Sequence, residues 1–334
     1  MKSRLGRMSA AFVLVAVTAA CFPGPGSLAQ STAQKEQPAD KSQARPFDPA
    51  QGKPNIAELW QDPGDVTSRD LFYGRGGKAL VPSPTTPFEF KAIDTVGYST
   101  GYDVVDPQGR KWDVKTGDEG QTEVVSSRIL WAAGYHQPIV YFVPEWVLTN
   151  GPVAKPLSGR FRYGHDHKSA GDWSWTENPF FGTREFKGLV ITNLLLNNWD
   201  IKQTNNRIYD VVEGLTPARW YVAQDVGASL GKTAWPVGNR NNVDDFESQR
   251  FVIGVDNGRV QFDYQARHRE LMENITPADV IWICRILDKI SDRQWDDAFR
   301  GAAFSKETSD RYIRKLKSKI QEGLALTATT SVER

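Results

Sequence analysis

The order of patterns between residues 88 and 143 constrains this chain more than any other feature. Phe88-Glu89-Phe90-Lys91-Ala92-Ile93, Gly101-Tyr102-Asp103-Val104-Val105 and Lys111-Trp112-Asp113-Val114-Lys115 alternate with the period of strands. Asp106-Pro107-Gln108-Gly109 supplies turn chemistry between the second and third. The period then changes: Val124, Val125, Ile129, Leu130 and Ala133 recur at helical spacing over residues 122–133, and Gly134 is placed to stop that helix. Pro138-Ile139-Val140-Tyr141-Phe142-Val143 follows as a short apolar run, which predicts a buried strand. Hairpin-joined strands with a single helix before the next strand exclude a doubly wound parallel sheet and predict an α+β body.

The rest of the chain is read around that block. Lys2, Arg4 and Arg7 precede an apolar run over residues 10–20, and Ser27-Leu28-Ala29 offers small residues before a cut at Gln30, so residues 1–29 are predicted to be a signal peptide and the protein to be exported, periplasmic or secreted. Cys21 after Thr18-Ala19-Ala20 offers a lipid-anchor reading, but Thr18 and the nearby Pro23 and Pro25 fit such a site poorly. Residues 30–58 are rich in Gln, Ser, Lys, Pro and Asp and read as a disordered linker. A sheet-bearing lobe over 59–150 and a larger lobe over 151–325 follow, with a disordered tail over 326–334.

With 41 Lys+Arg against 40 Asp+Glu, nothing predicts a nucleic acid as a bulk electrostatic partner. No later stretch reaches about 20 uninterrupted apolar residues, so no transmembrane span is expected in the mature chain. Cutting at Gln30 leaves Cys284 as its one cysteine and excludes an internal disulfide.

In the second lobe, residues 150–178 read as loop and residues 186–197 as an apolar helix. Residues 198–206 read as a polar loop, and residues 219–223 as a strand delivering Asp225. The last third reads as helical: Thr276-Pro277-Ala278-Asp279 is a helix start, and further helices are expected near 292–300 and 305–322.

Three elements carry chemistry. Lys115 ends a strand and Glu123 opens the next helix, so the pair can present an ammonium held by a carboxylate; each can equally be an ordinary surface or helix-start charge. Asp200-Ile201-Lys202-Gln203-Thr204-Asn205 puts a base, a cation and a metal-binding amide into one loop, though Asp and Asn also cap plain turns. Asp225-Val226-Gly227 follows an apolar strand, where a carboxylate before a glycine suits a metal ligand and also suits a simple turn.

Taken in order, strand lysine, helix glutamate, loop Asp-x-Lys-x-x-Asn and strand-end Asp-x-Gly, the chain resembles the protein-kinase-like superfamily over residues 88–230. That resemblance implies a bilobal protein-kinase-like fold, with a small antiparallel-sheet lobe bearing one helix and a mainly helical second lobe. It implies ATP with Mg²⁺ or Mn²⁺ as cofactors and phosphoryl transfer to a hydroxyl acceptor, whether protein, sugar or lipid headgroup.

It further implies Lys115 on the phosphates with Glu123 as its partner, Gly97 and Gly101 flanking the nucleotide, Asp200 and Lys202 in catalysis, and Asn205 and Asp225 on the metal. The Gly-rich loop is reduced to Gly97-Tyr98-Ser99-Thr100-Gly101, Asn198-Trp199 stands before Asp200, and no Ala-Pro-Glu follows Asp225. Lys115 and Glu123 are eight positions apart, a spacing similar to the compact HipA-like, secreted Fam20-like and phosphoinositide-kinase-like branches.

Two other classes remain open. A kinase-like shell can bind a partner without transferring phosphate. A metallohydrolase would need His165-Asp166-His167 with His136 or His268, a spacing that fits a metal site poorly. Trp173-Ser174-Trp175 suits core packing or a stacked ring ligand. Arg311, Arg314, Lys315, Lys317 and Lys319 surround Ile313, Leu316 and Ile320 and predict a solvated helix face.

Overall fold

The computed structural model describes residues 54–94, 99–117, 119–153, 156, 158–164, 167–211, 215–234 and 236–327. Its first part is a sheet of β1 (Phe88–Asp94), β2 (Gly101–Val105), β3 (Lys111–Thr116), β4 (Val140–Val143), β5 (Leu148–Thr149) and β6 (Gly159–Tyr163) in the order β4-β6-β3-β2-β1-β5. The pairs are antiparallel except β1 with β5. The α+β class expected from the pattern is the class observed. Asp106 makes the turn between β2 and β3 as expected: its carboxylate accepts from the Gln108 and Arg110 amides.

Side chains alternate across a strand, and β3 and β6 use this to give the sheet two unlike faces. Trp112, Val114 and Phe161 lie in one apolar cluster with Phe88, Tyr102, Tyr141 and Trp146. Asp113 stands opposite Arg162 and Lys115 opposite Arg160, so the other face of the same two strands carries four charges. Sequence pattern placed residues 150–178 in a loop; the structure corrects this, since β6 and β7 (His167–Gly171) lie there. The reason is physical: β6 turns Arg160 and Arg162 inward, so hydrophobic alternation misses it.

α1 (Glu119–Ala132) lies on the charged face, packed on β3, β4 and β6. Val124, Val125, Ile129 and Leu130 are fully buried, worth on the order of 1.5–3 kcal/mol each. The helix is enclosed on nearly every side. Gly134, in left-handed backbone, ends it as expected.

The second part holds α2 (Arg184–Leu195), the sheet β7-β8-β9 with β8 (Asn206–Val211) and β9 (Arg219–Ala223), α3 (Val243–Ser248), the hairpin β10 (Val252–Asp256) with β11 (Arg259–Phe262), and α4 (Pro277–Leu287), α5 (Asp292–Arg300) and α6 (Lys306–Leu324). The helix start read at Thr276 is observed, and there Thr276 and Asp279 form a capping box, as Ser291 and Gln294 do for the next helix. The β10–β11 hairpin departs from the all-helical end expected there.

Trp173 and Trp175 are buried in the core with ring centroids 4.9 Å apart, the packing use of that motif. The expectation of a solvated basic face on α6 needs one correction. Lys319 is fully buried, donating to the Leu195 carbonyl at 2.9 Å and to Asn197 Oδ1 at 2.6 Å, because the end of α2 leaves acceptors there that only a long donor reaches.

Residues 54–81 run along both parts as a strap. The expected linker was to extend to 58, but Ile56–Glu58 form a short 3-10 turn capped by the Asn55 side chain. Trp60 Nε1 donates to the Ala133 carbonyl at 2.7 Å, and the Arg69 guanidinium donates to the carbonyl of Trp131 at the end of α1. From the other side, Gln294 Nε2 of α5 donates to the carbonyls of Val66 and Arg69, both at 2.8 Å. Leu59, Val66 and Leu71 enter the main core. Among the described residues no helix is long and apolar enough to cross a membrane.

Candidate active site

Three stretches named from the sequence meet where α1, the end of β3 and the loop after α2 come together. The loop begins when α2 stops and Asn197 takes left-handed backbone. Asp200 then accepts from Lys202 Nζ at 2.9 Å, while Asn205 Nδ2 donates to the Asp200 carbonyl at 2.8 Å and reaches its Oδ2 at 3.4 Å. Asp200, Lys202 and Asn205 are therefore one hydrogen-bonded unit. The Asn205 carbonyl accepts from the Gln224 amide at 2.9 Å, which fixes the next residue, Asp225, beside the loop.

Asp225 has φ of 53°, a left-handed conformation that a non-glycine residue adopts at a cost. Gly227 explains part of the turn chemistry. A Cβ there would sit 2.9 Å from the Glu119 carbonyl oxygen, and the Gly227 carbonyl accepts from Thr122 Oγ1 at 2.6 Å. The missing side chain lets the first turn of α1 close onto the segment that bears Asp225.

Burial would raise the Asp225 carboxyl, but Lys115 first, then Arg162 and Arg160, hold it well below the usual carboxylate range. The Lys115 charge thus acts on Asp225, although its ion pair is with another residue. The lysine's ion-pair partner differs from expectation. Lys115 Nζ lies 3.0 Å from Glu119 Oε2, whereas Glu123, one turn on, accepts from Arg162 Nη2 at 2.9 Å and lies 3.0 Å from Arg160 Nε. Both glutamates lie on the same face of α1, and the rise of the helix from β3 puts the earlier one at the lysine.

The sequence reading missed Asp113, Glu119, Arg160, Arg162 and Arg240. Arg160 Nη1 is 2.5 Å from Asp113 Oδ1, and Arg162 Nη2 donates to Asp225 Oδ1 at 2.6 Å. Burial would lower the Arg162 guanidinium; Asp225, Asp113 and Glu123 outweigh it and hold Arg162 firmly charged. Arg240 pairs with Glu119 and lies over the Trp199 ring at 5.1 Å, tying the segment after Asp225 to α1. The one available signal was Arg160-Phe161-Arg162 itself, a charged alternation of strand period.

Gly101 opens β2 opposite Lys115, with the Asp94 Cβ 2.9 Å from where its own Cβ would stand. Gly97 lies outside the described residues, as do His165 and Asp166. His136 is stacked on Trp220 and His268 contacts Glu270, so these two histidines are engaged at separate places.

Oxygen donors at this point suit a hard divalent cation. Asn205 spends its Nδ2 on Asp200 and its Oδ1 takes no hydrogen bond among the described residues; Asp225 engages Arg162 through Oδ1 and keeps Oδ2. Both are oxygen donors of the kind such a cation takes, while among the described residues no group of three or more His, Cys, Asp or Glu side chains gathers to hold a metal.

No protein-family model matches the chain, and no curated protein matches it. Among solved structures it is similar to that of a Helicobacter pylori proinflammatory kinase, CtkA, at 12% identity, over 72% of this chain and 94% of that one, with a TM-score of 0.43.

Proposed function

We propose that this protein is an exported phosphotransferase of the protein-kinase-like type. The observation that carries the reading is the convergence of Asp200, Lys202 and Asn205 in one bonded loop with Asp225 held beside it, where the Lys115 charge acts on it. Lys115, held by Glu119, would hold the nucleotide phosphates. Asn205 Oδ1 and Asp225 Oδ2 would hold Mg²⁺ or Mn²⁺, which when bound neutralises charge on those phosphates.

Asp200 would accept the proton of the acceptor hydroxyl as its oxygen bonds the terminal phosphorus and the bond to the leaving nucleoside diphosphate breaks. Lys202 would face the transferred group once Asp200 releases it. Export rests on Lys2, Arg4 and Arg7 before the apolar run over residues 10–20, a region outside the described residues.

A second reading has its own support. Lys202 on Asp200 and Arg162 on Asp225 occupy both key carboxylates internally, which suits a shell that binds a ligand without turning it over. Labelled ATP with Mn²⁺ or Mg²⁺ separates the two. Asp225→Ala is expected to abolish metal-dependent nucleotide binding, read as the thermal shift, and Asp200→Ala to keep that shift while losing transfer of label. Transfer unchanged in both variants would refute the assignment; binding without transfer in the unaltered protein would favour the shell.

A further inference from the structure

The arginine pair of β6 points to a charge relay that the phosphate chemistry does not require. Arg162 Nη2 is shared between two carboxylates, Asp225 Oδ1 at 2.6 Å and Glu123 Oε1 at 2.9 Å. Glu123 is almost wholly buried, yet its Oε2 has no hydrogen-bond partner among the described residues, and neither has Arg162 Nε. An orphaned buried carboxylate oxygen is costly, and a guanidinium is shaped to take both oxygens of one carboxylate through two parallel bonds. Arg160 Nε, beside the same glutamate, also lacks a hydrogen-bond partner, but Arg160 is tied to Asp113, which leaves Arg162 as the guanidinium that can satisfy Glu123 Oε2.

We infer that Arg162 is a positioning residue with two seats: in this structure it caps Asp225, and when a divalent cation takes Asp225 it withdraws onto both oxygens of Glu123. The inference rests on the reading of Asp225 as a metal ligand and adds what sets that ligand's affinity. Arg160 anchors the arrangement from the sheet, with Nη1 on the Asp113 carboxylate and Nε 3.0 Å from Glu123 Oε1. Asp113, half exposed, is an anion opposite Arg162 in the ladder and steadies the pair in either seat. Lys115 is held by Glu119, so it does not compete for Glu123. The cost of moving Arg162 is therefore borne by one ion pair, while the gain is the satisfaction of two buried atoms.

The test is Mn²⁺ titration of the full chain, with free Mn²⁺ read from its solution EPR signal in the presence of ATP. Arg162→Met removes the competing cation and is expected to tighten Mn²⁺ binding about tenfold or more, by loss of like-charge repulsion. Glu123→Gln removes the second seat's charge and is expected to weaken binding about tenfold. In the Arg162→Met/Glu123→Gln double variant the Glu123 effect should shrink well below its size in the Arg162 background, since Glu123 then has no arginine to draw off Asp225 and only its own charge is lost. That cycle separates the relay from a plain loss of one negative charge, which would lower affinity equally in both backgrounds.

Arg314→Met, exposed on α6, controls for net charge. If Arg162→Met fails to fold because Glu123 is left buried with Arg160 as its one remaining cation, the double variant removes both charges, and Glu123→Gln alone must still weaken Mn²⁺. Mn²⁺ affinity unchanged in Arg162→Met or Glu123→Gln overturns the relay and leaves the metal site standing. Absence of Mn²⁺ binding in the unaltered protein and in all variants overturns the relay and the phosphotransferase reading together.

Discussion

Protonation of His136 should decide how this protein meets acid. The His136 ring stacks on Trp220 with centroids 4.8 Å apart and planes 4° from parallel, and its Nε2 lies 2.7 Å from the Ala57 carbonyl oxygen. A carbonyl can only accept, so Nε2 carries the proton and Nδ1 is bare in the neutral ring. Burial foremost, with Arg75 and Arg69 pushing the same way against the Ala57 bond, brings the imidazole down to about 4.

An unfolded chain has it near 6.5, so between these values the unfolded state binds more protons and stability falls as the pH falls. The contribution is fully present above about 6.5 and is lost progressively toward 4. Over that whole window the linkage amounts to roughly 3 kcal/mol, and between pH 7.5 and pH 5 to about 2 kcal/mol. Chemical denaturation at those two pH values reads it directly, on the assumption of a two-state transition. His136→Gln, which cannot charge, should lose that increment of pH dependence while starting from a lower stability through the lost ring stacking. Equal pH dependence in the variant and the unaltered protein would refute the argument.

Gly227→Ala is expected to lower stability by about 1–3 kcal/mol and to weaken nucleotide binding, because the new Cβ meets the first turn of α1 at 2.9 Å; denaturation and thermal-shift titration check the two effects. The mass of the chain recovered after secretion is expected to begin at Gln30, and a chain that keeps residues 1–29 would remove export from the proposal.

Local signals were legible where one stretch of chain settles its own structure. The hairpin at Asp106, the stop at Gly134 and the cap at Thr276 need only neighbouring residues, and each was readable from them. The loop over Asp200 to Asn205 was legible for the same reason, since its bonds close within six residues. What stayed hidden depends on distant partners. β6 resists reading because its inward side chains are arginines whose burial is compensated by Glu123 and Asp225, far along the chain. The choice of Glu119 over Glu123 at Lys115 is a matter of helix rise relative to the strand, which no pattern of residue types encodes. Lys319 likewise looks like any surface lysine until the end of α2 is placed against it.

The strap over residues 54–81 has a consequence for how the molecule is made. Val66 and Arg69 leave the ribosome long before Gln294, whose side-chain amide they need, lying 228 and 225 positions apart from it. Contacts of such separation delay completion, so the chain can assemble its sheet early while the stretch from Val66 to Arg69 waits for its Gln294 partner until α5 arrives. Folding thus passes through a period in which this stretch of the strap lacks its clasp, and that period closes only when α5 docks.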